Sequence, residues 1–196
     1  MIAAIVGHGA SPTGRGWGAQ IDSADAVIRM WDWFMFQGTA DYGTRYDLGV
    51  IRMRPSEAER GWPPERLPAR GWMFYAPDRR DPTWWIAQAQ GAGREAHLIP
   101  DRRRDPGEPK ITRGTTAAAW AMETLRPSHL ILVGFDNVHA GEPTAAAPGN
   151  MALWPGDFKD GVWQHGGHAW ATEHALLERI AAETHTRLVW PEDIWP

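Results

Sequence analysis

The most constraining feature of the sequence is an alanine-rich stretch followed at once by the apolar run His129-Leu-Ile-Leu-Val-Gly-Phe135. Residues 115–125 read as a helix, with small residues of high helix propensity, a threonine at a capping position and a stop at Arg126-Pro127. Residues 129–135 read as a strand, and so unbroken an apolar run predicts burial on both faces in a parallel sheet. A helix feeding a doubly buried strand is the building unit of an α/β fold. A second such strand opens the chain: Ile2-Ala-Ala-Ile-Val6 stops at Gly7-His8-Gly9-Ala10-Ser11, the strand-to-glycine-turn opening usual in nucleotide-binding α/β units.

The rest of the chain falls into the same rhythm. Residues 16–21 form a weak helical stretch, and 26–30, 47–53 and 71–76 read as strands. Residues 83–90 predict a helix capped by Thr83 with Trp84 and Trp85 turned inward, and 96–99 another strand ended by Pro100. A charged, proline-rich loop covers 100–110. Residues 137–168 are rich in Gly and Pro without a period, the pattern of a functional or mobile loop. An amphipathic helix over 169–184 carries Leu176, Leu177 and Ile180 on one face, and 187–190 read as a last short strand. The alternation predicts a single Rossmann-like α/β domain over residues 1–196: a doubly wound, mainly parallel sheet with helices on both faces, binding ligands beyond its carboxyl edge.

Composition narrows the function classes. With 196 residues, 43% of them apolar and 22% charged, the chain suits one globular domain and is neither disordered nor fibrous. The absence of cysteine removes disulfide scaffolds, thiol nucleophiles and cysteine-ligated zinc. No apolar stretch approaches the length of a membrane span and no signal peptide opens the chain, so a cytoplasmic protein without a membrane partner is expected. A net charge of −4 supplies no general attraction for nucleic acid. Arg52/Arg54, Arg79-Arg80 and Arg102-Arg103-Arg104 are local basic clusters, either solvated loop charge or an anion-facing rim. The thirteen tryptophans fit two origins: codon usage in a GC-rich genome, or indole faces that stack on sugars and bases.

Three constellations carry chemistry. The turn at Gly7, His8, Gly9 and Ser11 allows close approach of backbone to a ligand, and Ser11 can donate to phosphate or cap the next helix. It lacks both the dinucleotide fingerprint and the phosphate-loop lysine. Lys110-Ile-Thr112-Arg113-Gly114-Thr115-Thr116 runs into the best helix, where hydroxyls, cations and unpaired N–H groups suit phosphate or carboxylate, or serve ordinary capping. His165-Gly-Gly-His168 precedes the helix that holds Glu173, and an imidazole there is a natural general base for a hydroxyl nucleophile. Neither a zinc spacing nor an Asp-x-Asp pair occurs, so metal-independent chemistry is expected.

Taken in order, these blocks resemble the sialyltransferase superfamily, in its bacterial or phage type. Residues 5–29 (IVGHGASPTGRGWGAQIDSADAVIR), with Asp41-Tyr-Gly-Thr-Arg-Tyr-Asp47, are similar to its long motif. Residues 111–136 are similar to its short motif, a Ser/Thr-Gly turn, a small-residue helix and a strand ending in Gly-Phe-Asp. His168-x4-Glu173 is similar to its terminal motif. The resemblance implies one variant glycosyltransferase A-type domain that transfers a sugar with inversion and without metal or other cofactor, from a cytidine-monophosphate sugar as co-substrate. It implies His168 as the base that deprotonates the acceptor hydroxyl. Donor contacts fall to Gly7, His8, Gly9, Ser11, Arg29, Trp31, Thr112, Arg113, Gly114, Thr115 and Asp136. Lys110 stands where bacterial members have arginine, keeping charge without bidentate geometry. His8 and Trp31 replace two asparagines that contact the nucleotide, which changes what is recognised.

The mechanism expected is in-line displacement, with Lys110, Arg113 and the helix N-terminus stabilising the leaving phosphate. His139 or His165 protonates that phosphate, and Glu173 orients His168 or caps its own helix. The acceptor is a glycan or, alternatively, a hydroxymethylated base in DNA, as in phage DNA modification. A nucleotide-sugar hydrolase and a catalytically inactive nucleotide-binding module are the competing classes.

Overall fold

The computed structural model describes residues 1–30, 39–52, 70–75, 81–99, 111–142, 158–159, 162–163 and 169–195. In chain order the elements are β1 (Ile2–Val6), α1 (Gly18–Asp22), β2 (Ala26–Met30), α2 (Thr39–Tyr42), β3 (Leu48–Arg52), β4 (Gly71–Tyr75), α3 (Thr83–Gly91) and β5 (Glu95–Ile99). There follow α4 (Arg113–Thr124), β6 (His129–Val133), α5 (Asp136–Ala140), β7 (Phe158–Lys159), β8 (Val162–Trp163), α6 (Trp170–Thr184) and β9 (Arg187–Val189).

Seven strands form one sheet in the order β5-β4-β3-β2-β1-β6-β9, and every pairing in it is parallel. The chain steps outward from β1 to β5, then crosses back to lay β6 against the other side of β1. The direction of winding therefore reverses between β1 and β6, and a crevice opens beyond the carboxyl ends of those two strands. The period-two alternation of strand side chains explains the two cores. Ala3, Ile5, Ile28, Leu130 and Leu132 face α4 and α6, packing on Ala118, Met122, Leu177 and Ile180. Ala4, Val6, Val27 and Val133 face the opposite layer with Trp17, Ile21 and Tyr42. Farther along that layer, Ile51, Trp72 and Phe74 pack against Trp85 and Ala89 of α3. The result is the three-layer, doubly wound α/β architecture that the sequence predicts.

The alanines of α4 explain how that helix sits so close. Residues 115–122 are all buried: Ala117, Ala118, Ala119 and Ala121 keep the helix slim between the sheet and α6, while Trp120 and Met122 fill space in the same core. Thr112 caps it, its Oγ1 accepting from the Thr115 amide at 3.1 Å.

The structure corrects three expectations. Trp84 does not turn inward: it is 48% exposed and meets the buried Trp85 edge-on at 4.8 Å. Thr83 does not cap α3; its hydroxyl and amide both donate to the Asp81 carboxylate, so Asp81 supplies the acceptor at that helix start. The segment 137–168 is not wholly irregular, for α5 runs to Ala140 and Phe158–Lys159 pairs antiparallel with Val162–Trp163.

Candidate functional site

The residues of the long block build a framework before they build a site. The Asp22 carboxylate accepts from the amides of Thr44 and Arg45 at 2.7 and 2.9 Å, and from the Arg29 guanidinium at 3.2 Å. Arg45 reaches back to the carbonyls of Asp22, Ala24 and Asp25, and its Nε pairs with Asp47 at 2.9 Å. Asp47 in turn accepts from the Val27 amide at 2.8 Å, and Asp41 holds the amides of Gly14 and Gly16 at 2.9 and 2.8 Å. Gly43 makes this knot possible. It adopts a φ of 72°, and a Cβ there would stand 2.3 Å from the Asp22 carboxylate. The repeated Asp and Arg of this block thus tie α1, β2 and β3 together.

Arg29 belongs to that knot. It is fully buried, donates from Nε to the Arg45 carbonyl at 2.6 Å and pairs with Asp22. Burial pushes its guanidinium down to about 10, opposed by Asp22, so it stays cationic at neutral pH. The donor contact expected of Arg29 is therefore corrected to an internal one, because its side chain reaches no solvent-facing surface.

At the crevice the turns after β1 and β6 lie against each other. Gly7 donates its amide to the Val133 carbonyl and Gly9 to the Gly134 carbonyl, both at 2.8 Å. Ser11 donates its amide to Asp136 Oδ2 at 2.8 Å and its hydroxyl to Oδ1 at 2.6 Å. A Cβ on Gly9 would stand 2.5 Å from the Asp136 carboxylate. The close approach that the glycine turn allows is thus to the neighbouring turn. Ser11 neither caps α1, whose N-cap Trp17 makes no side-chain cap bond, nor keeps its hydroxyl proton for a phosphate. His8 sits half-buried between these glycines. Tyr42 closes the turn from the far layer, donating to the Gly9 carbonyl at 3.2 Å and lying 3.0 Å from Thr13 Oγ1. Its burial pushes the phenol up to about 12.

The α4 N-terminus adjoins the same turn through Phe135. Ideal Cβ positions on Gly7 and Gly114 would lie 3.1 and 3.3 Å from that ring. Arg113 is the first residue of α4 and half-buried. The hydroxyls of Thr112 and Thr115, expected to contact the donor, turn inward and converge on Glu173 Oε2 of α6 at 2.6 and 2.5 Å. Glu173 and Thr115 are both fully buried. The cap expected of Glu173 at its own helix is corrected accordingly, since the oxygen that these hydroxyls reach lies at the start of α4.

His139, on α5, rests on Trp190 with ring centroids 4.2 Å apart, and Trp190 also meets His174 at 5.6 Å. His174 Nδ1 lies 2.9 Å from the Val138 carbonyl, which docks α6 on α5, and its Nε2 lies 3.3 Å from Glu178 one turn along its own helix. Trp31, Lys110, His165 and His168 lie outside the described residues, as do Arg54, Arg79-Arg80 and Arg102-Arg103-Arg104.

Sequence reasoning missed Tyr42, Phe135, His174 and Trp190. Trp190 carried a usable signal, because it directly follows β9 and carboxyl ends are where α/β sheets bind. Phe135 carried one too, standing between the strand and Asp136. Tyr42 and His174 carried none, since their partners are remote in the chain.

The three blocks thus meet at one edge of the sheet: the long block through Gly7, Gly9 and Ser11, the short block through Thr112–Thr115 and Asp136, the terminal block through Glu173. No protein-family profile matches the chain, and no curated protein matches it. Among solved structures the chain is similar to a mammalian sialyltransferase described as in complex with Gal-beta-1-3GalNAc-ortho-nitrophenol. The identity is 15% and the TM-score 0.50, over 96% of this chain and 68% of that one. At that identity the likeness is one of fold, and it agrees with the parallel, doubly wound sheet. Among the described residues no helix is long and apolar enough to cross a membrane.

Proposed function

We propose that this chain is a glycosyltransferase that moves a sugar from a nucleotide-sugar donor, of cytidine-monophosphate type, to an acceptor hydroxyl of a glycan. The observation that carries the reading is the bond between the terminal block and the short block, Glu173 to Thr112 and Thr115, beside the β1–β6 crevice. A sheet with its winding reversal at that crevice binds ligands there by its topology. The solved sialyltransferase supports the same reading at the level of fold.

In this reading the donor lies across the crevice, with its phosphate facing Arg113, Gly114 and Lys110. The first-turn amides of a helix have no intrahelical acceptor, and the helix dipole adds positive potential where the leaving phosphate gathers charge. The acceptor oxygen attacks the anomeric carbon as the carbon–oxygen bond to phosphate breaks, which inverts that centre. His168, one peptide bond ahead of Ala169 at the start of α6, takes the acceptor proton. His139, exposed on α5, the helix that opens at Asp136, gives a proton to the departing phosphate. No metal enters these steps, so turnover is expected to survive a chelator.

The test is a thermal-shift screen across cytidine, uridine, guanosine and adenosine sugar donors, followed by turnover with glycans and with hydroxymethylated DNA. A cytidine sugar is expected to raise the melting temperature and to be transferred to glycan. His168→Ala is expected to keep the shift and lose transfer by about a hundredfold or more. Transfer at the wild-type rate by His168→Ala removes the base assignment, and a chain that no nucleotide sugar stabilises is not a glycosyltransferase of this kind. Transfer to DNA alone replaces the glycan acceptor.

A further inference from the structure

The geometry points to Glu173 as a positioning residue that sets the spacing between the starts of α4 and α6, through Thr112 and Thr115. This inference rests on the glycosyltransferase reading for its catalytic consequence and on the Thr112 and Thr115 bonds to Glu173 for the link itself.

The hydroxyl protons define the link. A threonine hydroxyl has one proton to donate. Thr112 Oγ1 lies 2.6 Å from Glu173 Oε2 and 3.0 Å from Thr115 Oγ1, so the carboxyl oxygen is the closer acceptor. A lone pair of the same Oγ1 accepts the Thr115 amide at 3.1 Å, the capping bond of α4. Thr115 Oγ1 directs its own proton to the same carboxyl oxygen at 2.5 Å. Both hydroxyl protons are therefore committed to one atom of α6, and the bond that caps α4 shares its oxygen with the bond that ties α4 to α6. Thr116 extends the turn, its hydroxyl donating to the Thr112 carbonyl at 2.9 Å.

Burial shows why this matters for a reaction. Glu173 and Thr115 are both 0% exposed, so water cannot replace a lost partner, and removing one leaves a polar group stranded. The turn cannot shift without breaking the link. Arg113 and Gly114 lie between the two bonded threonines, and Ala169 lies one helical turn before Glu173, which accepts no slack because its amide donates to the Ala169 carbonyl at 2.9 Å. One carboxyl thus governs the distance between the turn that faces the donor and the residue that follows His168.

The experiment compares Glu173→Met, Thr115→Val and Thr115→Ser in the full chain. Two readouts are used: amide exchange of residues 115 and 116, and kcat and KM with the nucleotide sugar selected above. Glu173→Met and Thr115→Val are expected to speed exchange at the first turn of α4 while the last turn keeps its rate. Glu173→Met is expected to lower kcat per folded molecule by about a hundredfold, the scale of a small misplacement of reacting groups, with donor KM nearly unchanged. Thr115→Ser keeps the hydroxyl and is expected to restore both readouts. Adding Thr115→Val to Glu173→Met is expected to cause little further loss, since both act on one link. Unchanged exchange in Glu173→Met and in Thr115→Val overturns the link. Faster exchange with unchanged kcat, or a loss that Thr115→Ser fails to restore, overturns the positioning role. A wild-type chain that turns over no nucleotide sugar removes the glycosyltransferase reading, and the exchange rates still decide the link. Thr115→Val, a near-isosteric change, keeps the test open if Glu173→Met does not fold.

Discussion

At the scale of single residues, the turn after β1 is governed by what cannot be added to it. Gly9→Ala would drive a methyl carbon to 2.5 Å from the Asp136 carboxylate, and that carboxylate has no room to retreat while it holds both the amide and the hydroxyl of Ser11. The substitution is expected to destabilise the fold by about 1–3 kcal/mol, the range for overpacking a filled site. Chemical denaturation of the variant checks it, and an unchanged midpoint would mean that the two turns part more easily than their bonds indicate. Sequence reasoning chose these glycines for closeness to a ligand. The closeness that the structure shows is to the neighbouring turn, a partner some 125 positions along the chain for Ser11 and Asp136. Spacing along a sequence carries no trace of such a partner.

At the scale of elements, α6 shows how much a helical period reveals. Leu176, Leu177 and Ile180 were expected on one face, and the structure grades them: Leu177 and Ile180 are buried on the sheet, while Leu176 is only partly covered. Leu177→Ala is therefore expected to cost about 2–5 kcal/mol through the cavity it leaves, and Leu176→Ala clearly less. Equal losses in thermal or chemical melts would contradict the packing. The period identified the buried face because burial follows geometry along one helix. It did not reveal that Glu173, on the same helix, turns inward to α4, since a carboxylate in an amphipathic pattern ordinarily marks the wet side. Trp84 errs the other way, an indole left at the surface of α3 because Trp85 already fills the space against Phe74, at a ring separation of 6.3 Å.

At the scale of the whole molecule, acid sensitivity follows from carboxylates that stitch remote segments. The amides of Gly14 and Gly16 hold Asp41 below the usual carboxylate range, and the bond to His97, with Arg70 nearby, holds Glu95 there too. Both titrate lower in the folded chain than in the unfolded one, so their stabilisation is complete above the ordinary carboxylate range and is lost as pH falls through the folded values. Stability is expected to decline below about pH 5, and Asp41→Asn with Glu95→Gln to flatten that decline. An acid limb as steep in the double variant as in the wild type would assign the effect elsewhere. By itself, the sequence determined the α/β class, the chain order of the seven strands of the main sheet and of the helices α1, α3, α4 and α6, and most of their buried faces, because local period and apolar density report burial directly. Only the tertiary structure decided which charged and hydroxyl side chains serve the frame and which face the crevice. A buried Arg29 and a surface arginine are the same letter until a fold removes one of them from water, and the bonds that separate them join segments that no local pattern connects.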